Sequence, residues 1–182
     1  LFYVGDGIVA EYSEFGDVFW KHCVEGGDGI DAMIHPVLAL QERASGDLLD
    51  VGCGFGYVVD YWQFSRRGAA VGLEGAGYGR QGAESLGVCI YPDRCSECRE
   101  IAGRKFSVVY ASEVIEHVPH PREFIVELKD KLAEDGILVL TTPNADYIPP
   151  TKTNEELYAP LSPGAPYFLL SEKPLRDLLL GA

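Results

Sequence analysis

The 182-residue sequence lacks any apolar run that approaches the ~20 residues a membrane-spanning helix requires. Its first ten residues contain no lysine or arginine and include Asp6, which is not the pattern of a secretory signal peptide. The five cysteines are an odd number at irregular spacing, in a chain long enough to bury its own core. This usage indicates reduced thiols, so we expect a cytoplasmic protein with no membrane span.

Basic residues are also scarce, since 15 lysines and arginines stand against 28 acidic residues and give a formal net charge of −13. The densest basic positions are only pairs, Arg66-Arg67 and Arg104-Lys105. Such a chain repels a phosphate backbone, so we expect no nucleic-acid partner. The apolar fraction of 47% is that of a globular protein, and the length favours one domain.

Short apolar runs alternate with helical patterns through the middle of the chain. The predicted strands cover residues 47–51, 69–73, 88–91, 106–111 and 137–142. Between them we predict helices over 57–67 and 78–86, the second weakened by its glycines, and a third from Pro121 to a C-cap at Gly136. This alternation predicts an α/β fold, a doubly wound, mostly parallel Rossmann-like sheet with helices on both faces.

We divide this single predicted domain into four segments. They are an N-terminal helical arm (1–46), a ligand-binding core (47–142), a proline-rich lid or substrate loop (143–170) and a last helix (171–182). Five prolines between positions 149 and 166 argue against regular structure there, and Ser171 suits a helix N-cap. Nothing after the last helix could finish the sheet, so we expect a truncated chain that lacks its C-terminal strands.

The most informative segment is D-V-G-C-G-F-G at residues 50–56, directly after the first core strand. Its three glycines allow positive φ and a close approach of ligand to backbone, at the edge of the sheet where doubly wound folds bind ligands. Glu74, at the end of the next strand, is placed to accept hydrogen bonds from ribose hydroxyls. The dinucleotide pattern G-x-G-x-x-G would need a glycine at Tyr57, which disfavours NAD; a tight turn without ligand is the other alternative.

Together with Glu74, this turn and three further motifs resemble the class I (seven-strand) S-adenosylmethionine-dependent methyltransferases. The motifs are F-S-V-V from Phe106, E-V-I-E-H-V from Glu113 and T-P-N from Thr142. The branch they resemble most is that of the ubiquinone-biosynthesis O-methyltransferases and their small-molecule relatives. The resemblance covers residues 48–144, and more loosely extends to 179. It implies S-adenosylmethionine as cofactor and methyl transfer to an oxygen, nitrogen or carbon atom of a small-molecule acceptor.

The resemblance also implies a role for each part of the cofactor site. The glycines would pass under the methionine part of the cofactor, Asp50 would reach its amino end, and Glu74 would hold its ribose. Asp93, just past the third core strand, would meet the adenine amino group, while the end of the fourth strand would line the methyl side. The predicted cofactor-binding residues are therefore Asp50, Gly52, Cys53, Gly54, Gly56, Glu74, Asp93, Ala111 and Ser112.

Glu113, Glu116 and His117 follow the fourth core strand at i, i+3 and i+4, a spacing that brings side chains together if one helical turn forms. His117 could then act as the general base that takes a proton from the acceptor. The three side chains could instead form half the shell of a divalent metal ion, or merely hold the loop by hydrogen bonds. We name all three as candidate catalytic residues and assign no metal.

Two departures from the family pattern keep another function open. Ser107 stands where the family usually has aspartate, and the final strands are absent, so a cofactor-binding module without catalysis is the main alternative. An NAD-dependent oxidoreductase is the less favoured rival. Cys95 and Cys98 lack the second pair that a structural zinc site usually has, so we expect two ordinary loop cysteines. The sequence does not predict an oligomeric state.

Overall fold

The computed structural model describes residues 2–3, 36, 39, 44–65, 67–148 and 167–182. Its elements in chain order are β1 (Phe2–Tyr3), β2 (Leu48–Val51), α1 (Tyr57–Phe64), β3 (Ala70–Leu73), α2 (Gly77–Leu86), β4 (Ile90–Tyr91), β5 (Phe106–Ser112), α3 (Pro121–Asp130), β6 (Leu132–Thr141), β7 (Phe168–Leu169) and α4 (Glu172–Gly181). Short 3₁₀ helices lie at Arg99–Ile101, Ile115–His117 and Ala145–Tyr147. None of the described helices is long and apolar enough to cross a membrane.

The chain separates into two compact units. The first, here called the sheet unit, comprises the described residues within 11–112 and 127–139. The second, here called the terminal unit, comprises those within 1–10, 113–126 and 140–182. Most of the predicted N-terminal arm lies outside the described residues, although Pro36 and Ala39 have helical backbone. Residues 149–166 of the predicted lid also lie outside them.

The five strands of the main sheet are arranged in the order β4-β3-β2-β5-β6. β2 pairs in parallel with both β3 and β5, and β3 pairs in parallel with β4. All residues of β2 and β3 are buried, as parallel strands covered on both faces require. The predicted doubly wound, mostly parallel sheet is thus confirmed. The strand order reverses between β2 and β5, which puts the topological switch point at the carboxyl end of β2.

Helix α1 packs its apolar side against this sheet. Val58, Val59 and Trp62 are buried in one cluster with residues of β2, β3 and β5. The indole Nε1 of Trp62 donates a hydrogen bond to the carbonyl of Gly46, 2.9 Å away, which ties the end of α1 to the segment that leads into β2. Helix α1 begins immediately after the glycine turn, with Gly56 as its N-cap.

The glycines of α2, which the sequence marks as weak points, allow the helix to approach the glycine turn closely. A Cβ atom on Gly82 would lie 2.1 Å from the carbonyl oxygen of Phe55, a residue of that turn. A Cβ on Gly79 would lie 2.8 Å from the Cβ and Cγ atoms of Glu74. Any larger residue at position 82 would therefore push the helix and the turn apart, because the atoms that it would meet all belong to the backbone of Phe55.

The sequence places the end of α3 wrongly. We predicted a C-cap at Gly136, but the helix ends at Asp130 and β6 already begins at Leu132. The reason is a ladder contact, since the backbone N–H of Phe106 donates to the carbonyl of Lys131 at 2.8 Å and draws the chain alongside β5. The left-handed backbone conformation expected near a helix end falls instead on Asp135, with φ +62°.

The terminal unit has its own small core. Ile115, Ile125 and Leu170 are buried there, and the leucines of α4 pack against them. β1 pairs antiparallel with β7. Both β7 and the 3₁₀ helix Ala145–Tyr147 lie in the segment predicted to lack regular structure; the side chain of Asn144 caps this 3₁₀ helix by accepting from the N–H of Asp146 at 2.9 Å.

We predict that Gly82→Ala lowers the free energy of unfolding by about 1–3 kcal/mol, because its methyl group must displace the backbone of Phe55. Gly77→Ala is the matched control, since it lies in the same helix and a Cβ there meets nothing within 4 Å. That variant should be as stable as the wild type or slightly more so. Urea denaturation followed by circular dichroism measures both, and equal stability of the two variants would contradict the close packing of α2.

Candidate functional site

The glycine turn follows β2 at the switch point of the sheet. Gly52, Gly54 and Gly56 all have left-handed backbone, with φ of +72°, +56° and +84°. The N–H groups of Gly52 and Cys53 both donate to the carbonyl of Leu73, at 2.8 and 3.1 Å, so the turn is bonded to the end of β3. Residues with a Cβ rarely adopt such φ values, so this backbone path depends on glycine.

Two of these glycines differ in the space around them. A Cβ on Gly56, the N-cap of α1, would lie 2.8 Å from the Cδ1 atom of Ile90, so this position is closed by packing against β4. A Cβ on Gly54 would meet nothing within 4 Å. The turn therefore has open space at its middle glycine, at the carboxyl end of the central strand β2, where a ligand can lie against the backbone.

Glu74 follows β3 and holds the turn through its carboxylate. Its Oε2 atom accepts a hydrogen bond from the N–H of Gly54 at 3.1 Å, and its Oε1 atom accepts one from the N–H of Ala76 at 2.9 Å. Burial raises the pKa of Glu74, while these two backbone N–H groups act in the opposite direction. Each carboxylate oxygen has two lone pairs, so both can still accept a bond from a ligand hydroxyl.

Asp50 lies at the end of the central strand and is only 2% exposed. Burial raises its pKa to about 8, and the negative charge of Glu74 adds to the effect. At neutral pH in this structure Asp50 is therefore mostly protonated. The thiol of Cys53, which is also buried in the turn, has its pKa raised by the same burial and by the two acids. A positive charge close to these groups would lower their pKa values.

The remaining predicted cofactor residues of the sheet unit follow β4 and end β5. Asp93 is exposed, and one of its carboxylate oxygens lies within 4.8 Å of the Cys98 Sγ atom and of a carboxylate oxygen of Glu100. The Cys98 thiol itself lies 3.5 Å from Glu100 Oε2 in a hydrogen bond. Cys95 and Cys98 are both buried free thiols. Ala111 is buried and Ser112 is half-buried, both within β5.

The second candidate cluster does not form the single helical turn that would bring its three side chains together. Only Ile115–His117 form a helical turn, of 3₁₀ type, and Glu113 lies outside it with left-handed backbone at φ +55°. The reason is that the N–H of Glu113 still donates to the carbonyl of Thr141, at 3.0 Å, which delays the start of the turn. Glu113 therefore lies outside the turn that contains Glu116 and His117.

The two glutamates of this cluster consequently have different surroundings. Glu113 is exposed, and its Oε1 accepts from the hydroxyl of Thr141 at 3.1 Å. Glu116 is only 2% exposed; its Oε2 accepts from the hydroxyl of Thr142 at 3.0 Å, and its Oε1 lies 3.9 Å from Nε2 of His117. Burial raises the pKa of Glu116. The structure thus pairs Glu116 with His117 and directs Glu113 to Thr141.

Sequence reasoning missed four residues that support these sites. Gly79 and Gly82 were interpreted only as weak points of a helix. Their i, i+3 spacing, which places both on one helix face, was the available signal of a close contact. Thr141 and Thr142 were not assigned any role, although Thr142 opens one of the motifs that carry the family resemblance. Their hydroxyls bond to Glu113 and Glu116, respectively.

A family model described as "Methyltransferase domain" matches residues 28–180. The chain belongs to this methyltransferase-domain family. It is 35% identical over 103 residues to a "Ubiquinone biosynthesis O-methyltransferase" of Cereibacter sphaeroides, a match that covers 53% of this chain and 41% of the relative. It is 28% identical over 159 residues to the protein of that name from Neisseria meningitidis, which covers 78% of this chain and 63% of the relative. These matches therefore cover less than two thirds of either relative's length.

Solved structures show the same fold. A "SAM-dependent methyltransferase, possible histamine N-methyltransferase" from Thermotoga maritima superimposes with a TM-score of 0.69 at 15% identity, over 93% of this chain and 78% of the other. The "plantazolicin methyltransferase BpumL in complex with SAH" gives 0.65 at 15% identity, over 93% and 67%. The family and the fold class expected from the sequence are both confirmed for this methyltransferase domain.

We predict that the methyltransferase domain loses stability as the pH rises from about 4 to about 8, through Asp50. Between its unfolded value of 3.8 and its folded pKa of about 8, the folded state holds a proton that the unfolded state has released. Asp50→Asn removes this difference in proton binding, which changes the free energy of unfolding by at most about 1.4 kcal/mol per pH unit. Urea denaturation at pH 5, 6, 7 and 8 measures the difference between wild type and variant; identical pH slopes would contradict the buried, protonated Asp50.

Proposed function

We propose that this protein transfers the methyl group of S-adenosylmethionine to a small-molecule acceptor. The observation that carries the proposal is the glycine turn, which is open at Gly54 and flanked by the carboxyl groups of Asp50 and Glu74. Family membership supports it, as do solved family folds that contain SAH, the demethylated product.

The residues of the turn fit S-adenosylmethionine. The space at Gly54 leaves room for a ligand against the backbone, and Glu74 keeps lone pairs for ribose hydroxyls. The cofactor carries both an amine and a sulfonium cation, which suit a pocket of two acids. We propose that it is held by Asp50, Gly52, Cys53, Gly54, Gly56 and Glu74, with Asp93, Ala111 and Ser112 completing the site.

Bound S-adenosylmethionine supplies an electrophilic methyl group. The chain supplies alignment and a destination for the acceptor's proton, and we assign that proton to His117. Its side chain is 34% exposed, so it can pass the proton on to water, and the Glu116 carboxylate 3.9 Å away stabilises the imidazolium that forms. We favour a base over a metal site, because Glu113 lies off the 3₁₀ turn and bonds to Thr141.

For the acceptor we propose a hydroxylated ring related to quinone precursors, methylated on oxygen in the cytoplasm. This follows the name of the curated relatives, "Ubiquinone biosynthesis O-methyltransferase". Catechol is a simple probe of that class, since it offers adjacent hydroxyls on one ring. We propose no nucleic-acid partner, because the chain carries a formal net charge of −13.

Calorimetric titration tests the cofactor. We expect the wild type to bind S-adenosylmethionine and SAH but not NAD, and Gly54→Val to abolish that binding, since its side chain fills the open space of the turn. Gly87→Val is the matched control, because Gly87 also has positive φ (+69°) with nothing within 4 Å but caps the far end of α2. Both variants suffer the same backbone strain. Binding of NAD, or unchanged affinity in Gly54→Val, would refute the assignment.

Turnover tests the base. We expect His117→Ala to slow SAH formation with catechol by about 10²–10⁴-fold, while its affinity for S-adenosylmethionine stays near that of the wild type. Glu113→Ala should be mild, and EDTA should not inhibit the wild type. If EDTA stops the reaction and Glu113→Ala is as damaging as His117→Ala, a metal ion replaces the base. If His117→Ala keeps full turnover, the histidine has no chemical role.

A further inference from the structure

Two adjacent threonines at the end of β6 bond to different carboxylates of the candidate catalytic cluster. The Thr141 hydroxyl donates to Glu113 Oε1 at 3.1 Å, and the Thr142 hydroxyl donates to Glu116 Oε2 at 3.0 Å. Glu113 is exposed, whereas Glu116 is almost fully buried. A hydrogen bond to a buried carboxylate is worth more than one to an exposed carboxylate, because water does not compete for it.

We propose that Thr142 is a positioning residue for proton transfer, which fixes the Glu116 carboxylate so that its other oxygen faces His117. The inference rests on the proposed function, in which His117 takes the acceptor's proton. Thr142 is the first residue of the T-P-N motif and is not among the residues that we propose for the cofactor site.

The backbone of this turn is already fixed by other contacts, which leaves the Glu116 side chain as the part that needs holding. The carbonyl of Glu116 accepts from the N–H of Tyr167 at 2.6 Å, and the N–H of His117 donates to the carbonyl of Val114 at 2.9 Å. Ile115, which lies between Val114 and Glu116 in the sequence, is completely buried. Rotation of the carboxylate is then restricted by the Thr142 hydroxyl together with the backbone N–H of Glu116 itself.

The hydroxyl also affects the charge of Glu116. Burial raises the pKa of this carboxyl, and the negative charge of Glu113 adds to the rise. The N–H of Glu116 itself, the charge of His117 and the hydrogen bond from Thr142 act in the opposite direction by stabilising the ionised form. An ionised Glu116 can offset the positive charge that His117 acquires when it takes the proton. A protonated Glu116 cannot, so loss of the hydroxyl would weaken both the orientation and the charge of this partner.

The test compares Thr142→Val, which keeps the shape without the hydroxyl, with Thr142→Ser, which keeps the hydroxyl. Thr141→Val is the matched control on the neighbouring position. With catechol as acceptor, we expect Thr142→Val to lower kcat about 10- to 100-fold with little change in KM, and Thr142→Ser to recover most of it. Thr141→Val should stay within about threefold of the wild type. Thermal unfolding checks that all three variants are folded.

A second measurement does not depend on the acceptor. Carboxyl ¹³C NMR titration in buffer with EDTA should show a higher pKa for Glu116 in Thr142→Val than in the wild type, and no such rise in Thr142→Ser or Thr141→Val. An unchanged Glu116 titration in Thr142→Val would overturn the proposal, as would a Thr142→Ser variant that is as slow as Thr142→Val. Failure of the wild type to bind S-adenosylmethionine would instead overturn the proposed function, and the two failures are thus distinguishable.

Discussion

The candidate cofactor site depends on helix α2 lying against the backbone of the glycine turn with no side chain between them. Gly82 faces the carbonyl of Phe55 and Gly79 faces Glu74, both at distances that exclude a Cβ. Glu74, held in this way, accepts from the N–H of Gly54 and fixes the middle of the turn. The shape that a ligand meets is therefore set by packing before the ligand arrives, which reduces the ordering cost of binding.

The electrostatics of the site work against the stability of the fold. Asp50 and Glu74 are two acids in a buried setting, and each ionised form is disfavoured by desolvation. A positive charge placed beside Asp50 would lower its pKa, because it stabilises the carboxylate form. The buried acidic pair thus costs stability, and a nearby cation would offset part of that cost.

The fold and the glycine turn could be predicted because their signals are local. Alternating apolar strands and helices indicate the parallel sheet, and the spacing of glycines from Gly52 indicates the turn. The rest depended on contacts between distant segments. Helix propensity ranks Gly82 as unfavourable because it takes no account of the close contact with the backbone of Phe55. The i, i+3, i+4 spacing of the candidate catalytic cluster brings its side chains together only within one helical turn, and the backbone hydrogen bond from Glu113 to Thr141 keeps Glu113 out of that turn.

The T-P-N motif shows how a pattern known only from resemblance acquires a physical basis. The Thr142 hydroxyl bonds to Glu116, and the Asn144 side chain caps the next 3₁₀ helix. Asn144 also forms a β-bridge with Leu170, which is buried in the core of the terminal unit beside Ile115. The segments that follow β5 and β6 are therefore joined both through side chains and through that core. The pair of Glu116 and His117 is thereby bonded to a residue that lies 26 positions away in the sequence.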